Sequence, residues 1–187
     1  MRTAEAVSKV TRQPVLAIPL FLALGFAATP NGIAWALACL VVTTVLPLLY
    51  LLYLYRSGRV EDPGRIARGE RTGPLWVVSA FWVVAFAAYA LLGLPEVLRG
   101  AFLAYLFVTP VLALLTPYTN PSLHAAGAAW AAVCLTLAFG PAGLVSVVLL
   151  PVTWWARTIL KRHTPTELLL GTLVSGVLTL VAFYLAA

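Results

Sequence analysis

Long apolar stretches, broken by turn residues, dominate the chain. Residues 13–55, 72–95, 100–156 and 168–187 contain no charged side chain, apart from His124 in the third stretch. A helix needs about 20 apolar residues to cross the hydrocarbon core of a bilayer. The pattern therefore predicts an all-α, polytopic transmembrane helical bundle of about six to seven spans. The whole chain, residues 1–187, is expected to form a single integral membrane domain.

Turn residues set the expected limits of each span. Thr-Pro-Asn-Gly at 29–32, Leu-Pro-Glu at 94–96, Asn-Pro at 120–121 and Gly-Pro at 140–141 all favour a change of direction. They predict spans near 14–28, 31–55, 75–94, 97–117, 122–139, 142–160 and from 165 to the C-terminus. The first twelve residues are expected to form a polar tail, and the first span is short enough to be re-entrant.

Composition and charge narrow the class of protein further. Hydrophobic residues make up 62% of the chain and charged residues only 10%, whereas soluble domains carry about 25% charged residues. The formal net charge is +6, but the basic residues flank apolar spans and do not interleave with aromatic residues on a soluble surface. Nucleic acid is therefore excluded as the expected partner. The lipid bilayer is the expected surrounding, and the oligomeric state stays open.

The basic residues also predict an orientation. In a seven-span arrangement, all of the twelve Lys and Arg residues except Arg99 lie on one side of the membrane. The positive-inside rule places that face in the cytoplasm. Arg2, Lys9 and Arg12 are strong evidence for this orientation, because a polar tail has no expected catalytic task that would otherwise explain its charge. The sequence thus predicts a multi-pass protein of the cell membrane with a cytoplasmic basic face.

The candidate catalytic residues lie on that same basic face. The chain has two histidines, His124 and His163, and both fall at the ends of predicted spans. Together with Arg157 they suit phosphoryl transfer. One imidazole attacks phosphorus, the other protonates the leaving alkoxide, and the guanidinium neutralises the phosphate oxygens.

Two short motifs carry a resemblance to a known family. Residues 121–124 read Pro-Ser-Leu-His, and residues 157–167 read Arg-Thr-Ile-Leu-Lys-Arg-His-Thr-Pro-Thr-Glu. Both resemble motifs of the type 2 phosphatidic acid phosphatase superfamily, and the resemblance covers roughly residues 56–175. It implies a lipid-phosphatase/haloperoxidase-like helical core, a membrane lipid phosphate as substrate, and catalysis without a cofactor. The scattered acidic residues and two histidines likewise predict no metal site.

The resemblance also implies roles for individual residues. His163 would be the nucleophile that forms a phosphohistidine, Glu167 would orient it, and His124 would be the general acid. Arg157 and Ser122 would bind phosphate.

Two further phosphate contacts are expected nearby. The free backbone N–H groups of Leu123 and His124, at a helix start, form an anion site. The family's first motif, a Lys and an Arg-Pro pair, has no clean match. The nearest stretch, residues 65–74, looks like that of some prokaryotic members, with Gly73 where those have Arg, and makes Arg68 and Arg71 candidates for phosphate binding. A positive-inside loop that attracts anionic lipid explains the same residues equally well.

Departures from the family pattern leave three functions open. Ala156 stands where the family has Ser, Glu167 where it has Asp, and Leu123 where it often has Gly. Pro-Ser-Leu-His occurs in the branch that resembles inositol-phosphate transferases. The alternatives to a lipid phosphatase are therefore a lipid-linked phosphotransferase with the same site, or a non-catalytic membrane protein with a degenerate site. Glu167 also fits a capping box, and Arg157 fits a side chain that reaches the membrane interface.

Overall fold

A computed structural model describes residues 1–28, 31–62, 66 and 68–187, except for the side chain of Arg68. Every regular element in those ranges is helical, as the sequence predicts. The elements are α1 Arg2–Val10, α2 Gln13–Ala28, α3 Gly32–Leu40, a π-helical segment Val41–Val45, α4 Leu46–Arg56, α5 Arg68–Leu91, α6 Glu96–Leu115, α7 Leu123–Phe139, a 3₁₀ segment Gly140–Val148, α8 Leu149–Ile159 and α9 Pro165–Ala186.

Five helical stretches in the described ranges are long and apolar enough to cross a membrane: Gly32–Arg56, Gly69–Leu91, Glu96–Leu115, Leu123–Ile159 and Pro165–Ala186. Helices α1 and α2 meet at 49° and make a sixth if they act as one bent span. A multi-span helical membrane protein is therefore confirmed. The predicted turn at 29–32 lies partly outside the described residues.

The longest of these stretches folds back on itself. Gly140 has a φ of 59°, in the left-handed region that favours glycine. Six residues later, the hydroxyl of Ser146 donates to the carbonyl of Ala132 at 3.4 Å, and α8 packs against α7. Residues 14 positions apart in a continuous helix would be about 21 Å apart. The stretch is thus two arms joined at Gly140, which confirms the break predicted at Gly-Pro.

An aromatic cluster ties the central helices together. Tyr105 of α6 lies with its ring centroid 4.7 Å from that of Trp82 and 4.9 Å from that of Trp130. The Trp82 indole N–H donates to the carbonyl of Val42 at 3.1 Å. Val42 lies in the π-helical segment, where the regular helical bonding pattern is interrupted, and its carbonyl gains a side-chain donor there. Helices α5, α6 and α7 are thereby fixed around the core.

The N-terminal residues differ from the expected polar tail. Residues Arg2–Val10 form helix α1, which packs against α8. Ala4, Ser8 and Thr11 are buried, while the charged residues between them are exposed. The polar tail is helical because its apolar and small residues recur at helical spacing, which gives one face that can pack.

Candidate functional site

The start of α7 and the first turn of α9 are joined directly. Ser122 caps α7, since its hydroxyl accepts from the N–H of Ala125 at 3.3 Å. Its own N–H donates to the carbonyl of Glu167 at 3.1 Å. Gly171 makes this approach possible, because a Cβ at that position would lie 2.5 Å from the carbonyl oxygen of Ser122. The junction brings the helix end that carries His124 beside the one that follows His163.

Glu167 combines two roles in the first turn of α9. Its Oε2 accepts from the N–H of Thr164 at 2.8 Å, and its own N–H donates to the Thr164 hydroxyl at 3.3 Å. This is the capping box that the sequence predicts, with Pro165 at the first helical position. The same Oε2 lies 3.3 Å from Nδ1 of His163. Capping and contact with His163 therefore coexist.

The surroundings of His163 favour its neutral form. Its side chain is only 5% exposed, and this burial lowers the pKa below the usual 6.5, as does the positive charge of Arg157. Glu167 raises the pKa and Arg71 lowers it further, both by smaller amounts. Nδ1 lies 3.3 Å from the Glu167 carboxylate but without the angle of a hydrogen bond; a neutral ring with its proton on Nδ1 would need only a small rotation to donate it there. In that tautomer the lone pair is on Nε2.

His124 and Arg157 lie beside His163 and carry polar atoms without protein partners. His124 is in the first turn of α7, close enough to His163 for their charges to interact. Among the described residues, the buried polar atoms without a hydrogen-bond partner include Nε2 of His124, Nε of Arg157 and, although it lies 3.3 Å from Glu167, Nδ1 of His163. Arg157, in the last turn of α8, does donate from Nη1 to the hydroxyl of Ser8 at 2.9 Å. Buried polar atoms are normally bonded, so Nε2 of His124 and Nε of Arg157 suit a bound polar ligand.

These residues line one end of a cavity of about 800 Å³. Its polar end is lined mainly by basic, histidine and uncharged polar side chains together with the carboxylate of Glu5; the others include Ser8, Lys9, Arg12, Arg71, Asn120, His124, Arg157, Lys161, Arg162 and His163. Its other walls are largely apolar and come from α4 and α5, including Leu48, Leu51, Leu54, Leu75, Val78 and Trp82. The cavity can therefore hold an amphiphile with an anionic group at the histidines and a hydrocarbon chain along the apolar wall.

The chain matches no protein-family model, no curated protein and no solved structure. Chemical function is therefore argued from the geometry of the site and from the motifs in the sequence.

Most of the predicted site residues come together in the structure. His163, His124, Arg157, Arg71 and Leu123 all line the cavity.

Of the other three predicted residues, Ser122 and Glu167 do not line the cavity, and the side chain of Arg68 is outside the described residues. Ser122 is fully buried as the cap of α7 and is not among the lining residues. Arg68 begins α5, but its side chain lies outside the described part of the chain, as does the whole of Arg65. Glu167 contacts His163 and does not line the cavity itself.

The sequence reasoning missed the contribution of the N-terminal segment. Ser8, Lys9 and Arg12 line the polar end of the cavity, and Ser8 contacts Arg157. The available signal was the amphipathic pattern of α1, which indicates a packed helix but not its partner. In the described residues, no group of three His, Cys, Asp or Glu side chains is arranged to hold a metal ion.

Proposed function

We propose that this protein is a membrane lipid phosphatase that hydrolyses a lipid or polyprenyl phosphate monoester or diphosphate through a phosphohistidine, without a metal ion. The observation that carries the proposal is one cavity with His124, His163 and Arg157 at its polar end and apolar walls beyond. The motifs at 121–124 and 157–167 support a core like that of the type 2 phosphatidic acid phosphatase superfamily.

The first chemical step forms the phosphoenzyme. Nε2 of His163 attacks phosphorus, the bond from phosphorus to the lipid oxygen breaks, and His124 gives its proton to the departing alkoxide. Arg157 and Arg71 bind the phosphate oxygens, where negative charge is spread in the transition state. The Glu167 carboxylate accepts the Nδ1 hydrogen and stabilises the positive charge that develops on the ring.

The second step returns the enzyme to its starting state. A water molecule attacks phosphorus, His124 accepts one of its protons, and the bond from phosphorus to Nε2 breaks to release inorganic phosphate. An alcohol in place of water would give a lipid-linked phosphotransferase with the same residues. Leu123, which stands at the second-motif position often held by Gly and lines the cavity, favours this second candidate.

The site face is proposed to be cytoplasmic, in a multi-pass protein of the cell membrane. The basic residues around the cavity mouth and at the ends of α1 and α4 support this orientation through the positive-inside rule. The substrate would reach the cavity from the lipid leaflet on that side.

Phosphate release tests the proposed function. Purified protein in lipid nanodiscs is offered a panel of lipid monophosphates and diphosphates, with EDTA present, and with or without an acceptor alcohol. We expect phosphate release that survives EDTA and is blocked by vanadate, which mimics five-coordinate phosphorus. Transfer only to the alcohol would indicate the phosphotransferase. Lack of activity on every substrate, with His163→Ala indistinguishable from wild type, would favour a non-catalytic protein.

A further inference from the structure

Helix α1 lines the polar end of the cavity with Glu5, Ser8 and Lys9, and of these three Ser8 is buried. Ala4 and Ser8 lie one turn apart on the buried side of α1, which packs against α8. Ser8 is 7% exposed, and its hydroxyl accepts from Nη1 of Arg157 at 2.9 Å. Ser8 and His124 also line the same cavity. One residue of α1 thus adjoins the proposed site.

We propose that Ser8 is a positioning residue that holds the Arg157 guanidinium in the orientation that binds the substrate phosphate. This inference rests on the proposed function. Ala156, which precedes Arg157, has no hydroxyl of its own, so the contact comes from a helix far away in the sequence.

The chemistry of the contact suits that task. An arginine side chain has several rotatable bonds, and fixing it before the ligand arrives removes an entropic cost from binding. A carboxylate would also fix it but would offset its positive charge. A serine hydroxyl is neutral, so Arg157 keeps its charge for phosphate. The charged groups that act on Arg157 include three more cations, Arg12, Arg71 and Arg162, and an anionic ligand relieves their mutual repulsion.

The contact predicts which kinetic constant changes. Ser8→Ala removes the hydroxyl and leaves the main chain of α1 in place. The loss therefore falls on phosphate binding and not on proton transfer to the leaving group. We expect KM for the lipid phosphate and the inhibition constant for vanadate to rise together by about tenfold, the effect of one hydrogen bond to a charged group. The turnover number should change by less than about threefold.

Matched variants separate the hydroxyl from its bulk. Ser8→Thr and Ser8→Val add nearly the same volume and differ in the hydroxyl, so Thr should retain most of the vanadate affinity and Val should lose it. Thr3→Ala, at an exposed position of the same helix, should behave as wild type. The comparison of Ser8→Thr with Ser8→Val still tests the proposal if Ser8→Ala does not fold.

The outcomes are distinguishable. An active wild-type enzyme whose KM and vanadate inhibition are the same in Ser8→Ala, or in both Ser8→Thr and Ser8→Val, would overturn the positioning role and leave the phosphatase intact. A turnover number that falls with unchanged vanadate inhibition would also overturn it. If the wild type neither hydrolyses a lipid phosphate nor binds vanadate by calorimetry, the proposed function and this inference fail together.

Discussion

The carboxylate of Glu167 lies 3.3 Å from Nδ1 of His163 while the same oxygen accepts the backbone N–H of Thr164. The capping box therefore does more than end a helix. Because the cap fixes the Glu167 side chain, the carboxylate stays in place to hold the imidazole in one orientation. A local feature of helix formation thus becomes part of the proposed catalytic geometry.

The two roles of Glu167 are separable by substitution. Glu167→Gln retains an oxygen that can accept the N–H of Thr164 but loses the charge that stabilises the imidazolium. Thr164→Ala removes the hydroxyl of the cap and leaves the carboxylate. Each change should cost about 1 kcal/mol of helix stability, whereas turnover should fall at least about tenfold more in Glu167→Gln. Thermal unfolding and phosphate release measure the two effects. Similar small losses of turnover in both variants would remove the orienting role.

The acid limb of the pH profile should report His163. If its neutral form is the nucleophile, activity is lost as the pH falls through its pKa, which burial and Arg157 hold below 6.5. Glu167 raises this pKa and Arg71 lowers it. Consequently Glu167→Gln should move the acid limb of kcat/KM to lower pH, and Arg71→Gln should move it to higher pH. Movement of both variants in the same direction would exclude His163 as the titrating group.

The two histidines should differ in their dependence on the leaving group. His163→Ala is expected to abolish hydrolysis of every substrate, because no nucleophile remains. His124→Ala should lose activity on a lipid phosphate but still form the phosphoenzyme from nitrophenyl phosphate, whose leaving group needs no proton. Rapid-quench measurement of labelled phosphoenzyme checks both. Equal losses with the two leaving groups in His124→Ala would exclude it as the acid.

Sequence patterns predicted the half of the site that is local. The capping box at Thr164, the helix start at Ser122 and the break at Gly140 all depend on residues a few positions apart, and the structure has each of them. Their motifs also indicated that His124 and His163 lie at helix ends on one face. Such features are predictable because a cap or turn is determined mainly by its neighbours in the chain.

The other half of the site depends on long-range packing. Ser8 and Arg157 are 149 residues apart, and no local pattern indicates that α1 packs on α8. The same holds for the apolar wall, which arises where α4 and α5 flank the cavity. An amphipathic helix predicts that some surface will cover it, but which surface follows only from the assembled bundle.

Close packing between α9 and α7 should be sensitive to a single methyl group. In Gly171→Ala the new Cβ would lie 2.5 Å from the carbonyl oxygen of Ser122, so the helices must separate. This overpacking should cost about 1–3 kcal/mol and disturb the bond from Ser122 N–H to the Glu167 carbonyl. Both the melting temperature and phosphate release should fall.

Gly176 provides the matched control in the same helix. A Cβ there meets no atom within 4 Å among the described residues, so Gly176→Ala should leave activity unchanged and favour the helix by about 0.5–1 kcal/mol. If Gly171→Ala is as stable and active as Gly176→Ala, the junction does not determine the relative positions of the two histidines.

The last prediction concerns the side of the membrane on which the site lies. Lys9 and Arg12 line the cavity, so under the proposed function their charge would serve binding as well as topology, contrary to the expectation of a tail without a catalytic task. Arg2, Arg56 and Arg59 do not line it and still lie on the site side. Arg99, which donates to the carbonyl of Ala186 at the other end of the bundle, is the single opposing residue among the described cations.

Cysteine labelling tests whether the basic residues on the site face reflect the positive-inside rule or only the binding of an anionic substrate. Ser57 and Ala142 are exposed at opposite ends of the bundle, and the native Cys39 and Cys134 are buried. In a background with both native cysteines replaced by alanine, Ala142→Cys should react with an impermeant maleimide in intact cells. Ser57→Cys should react only after lysis, because the positive-inside rule places the site face in the cytoplasm. Labelling of Ser57→Cys from outside would mean that the basic residues serve to bind an anionic substrate and do not report topology. The enzyme would then act on the outer leaflet.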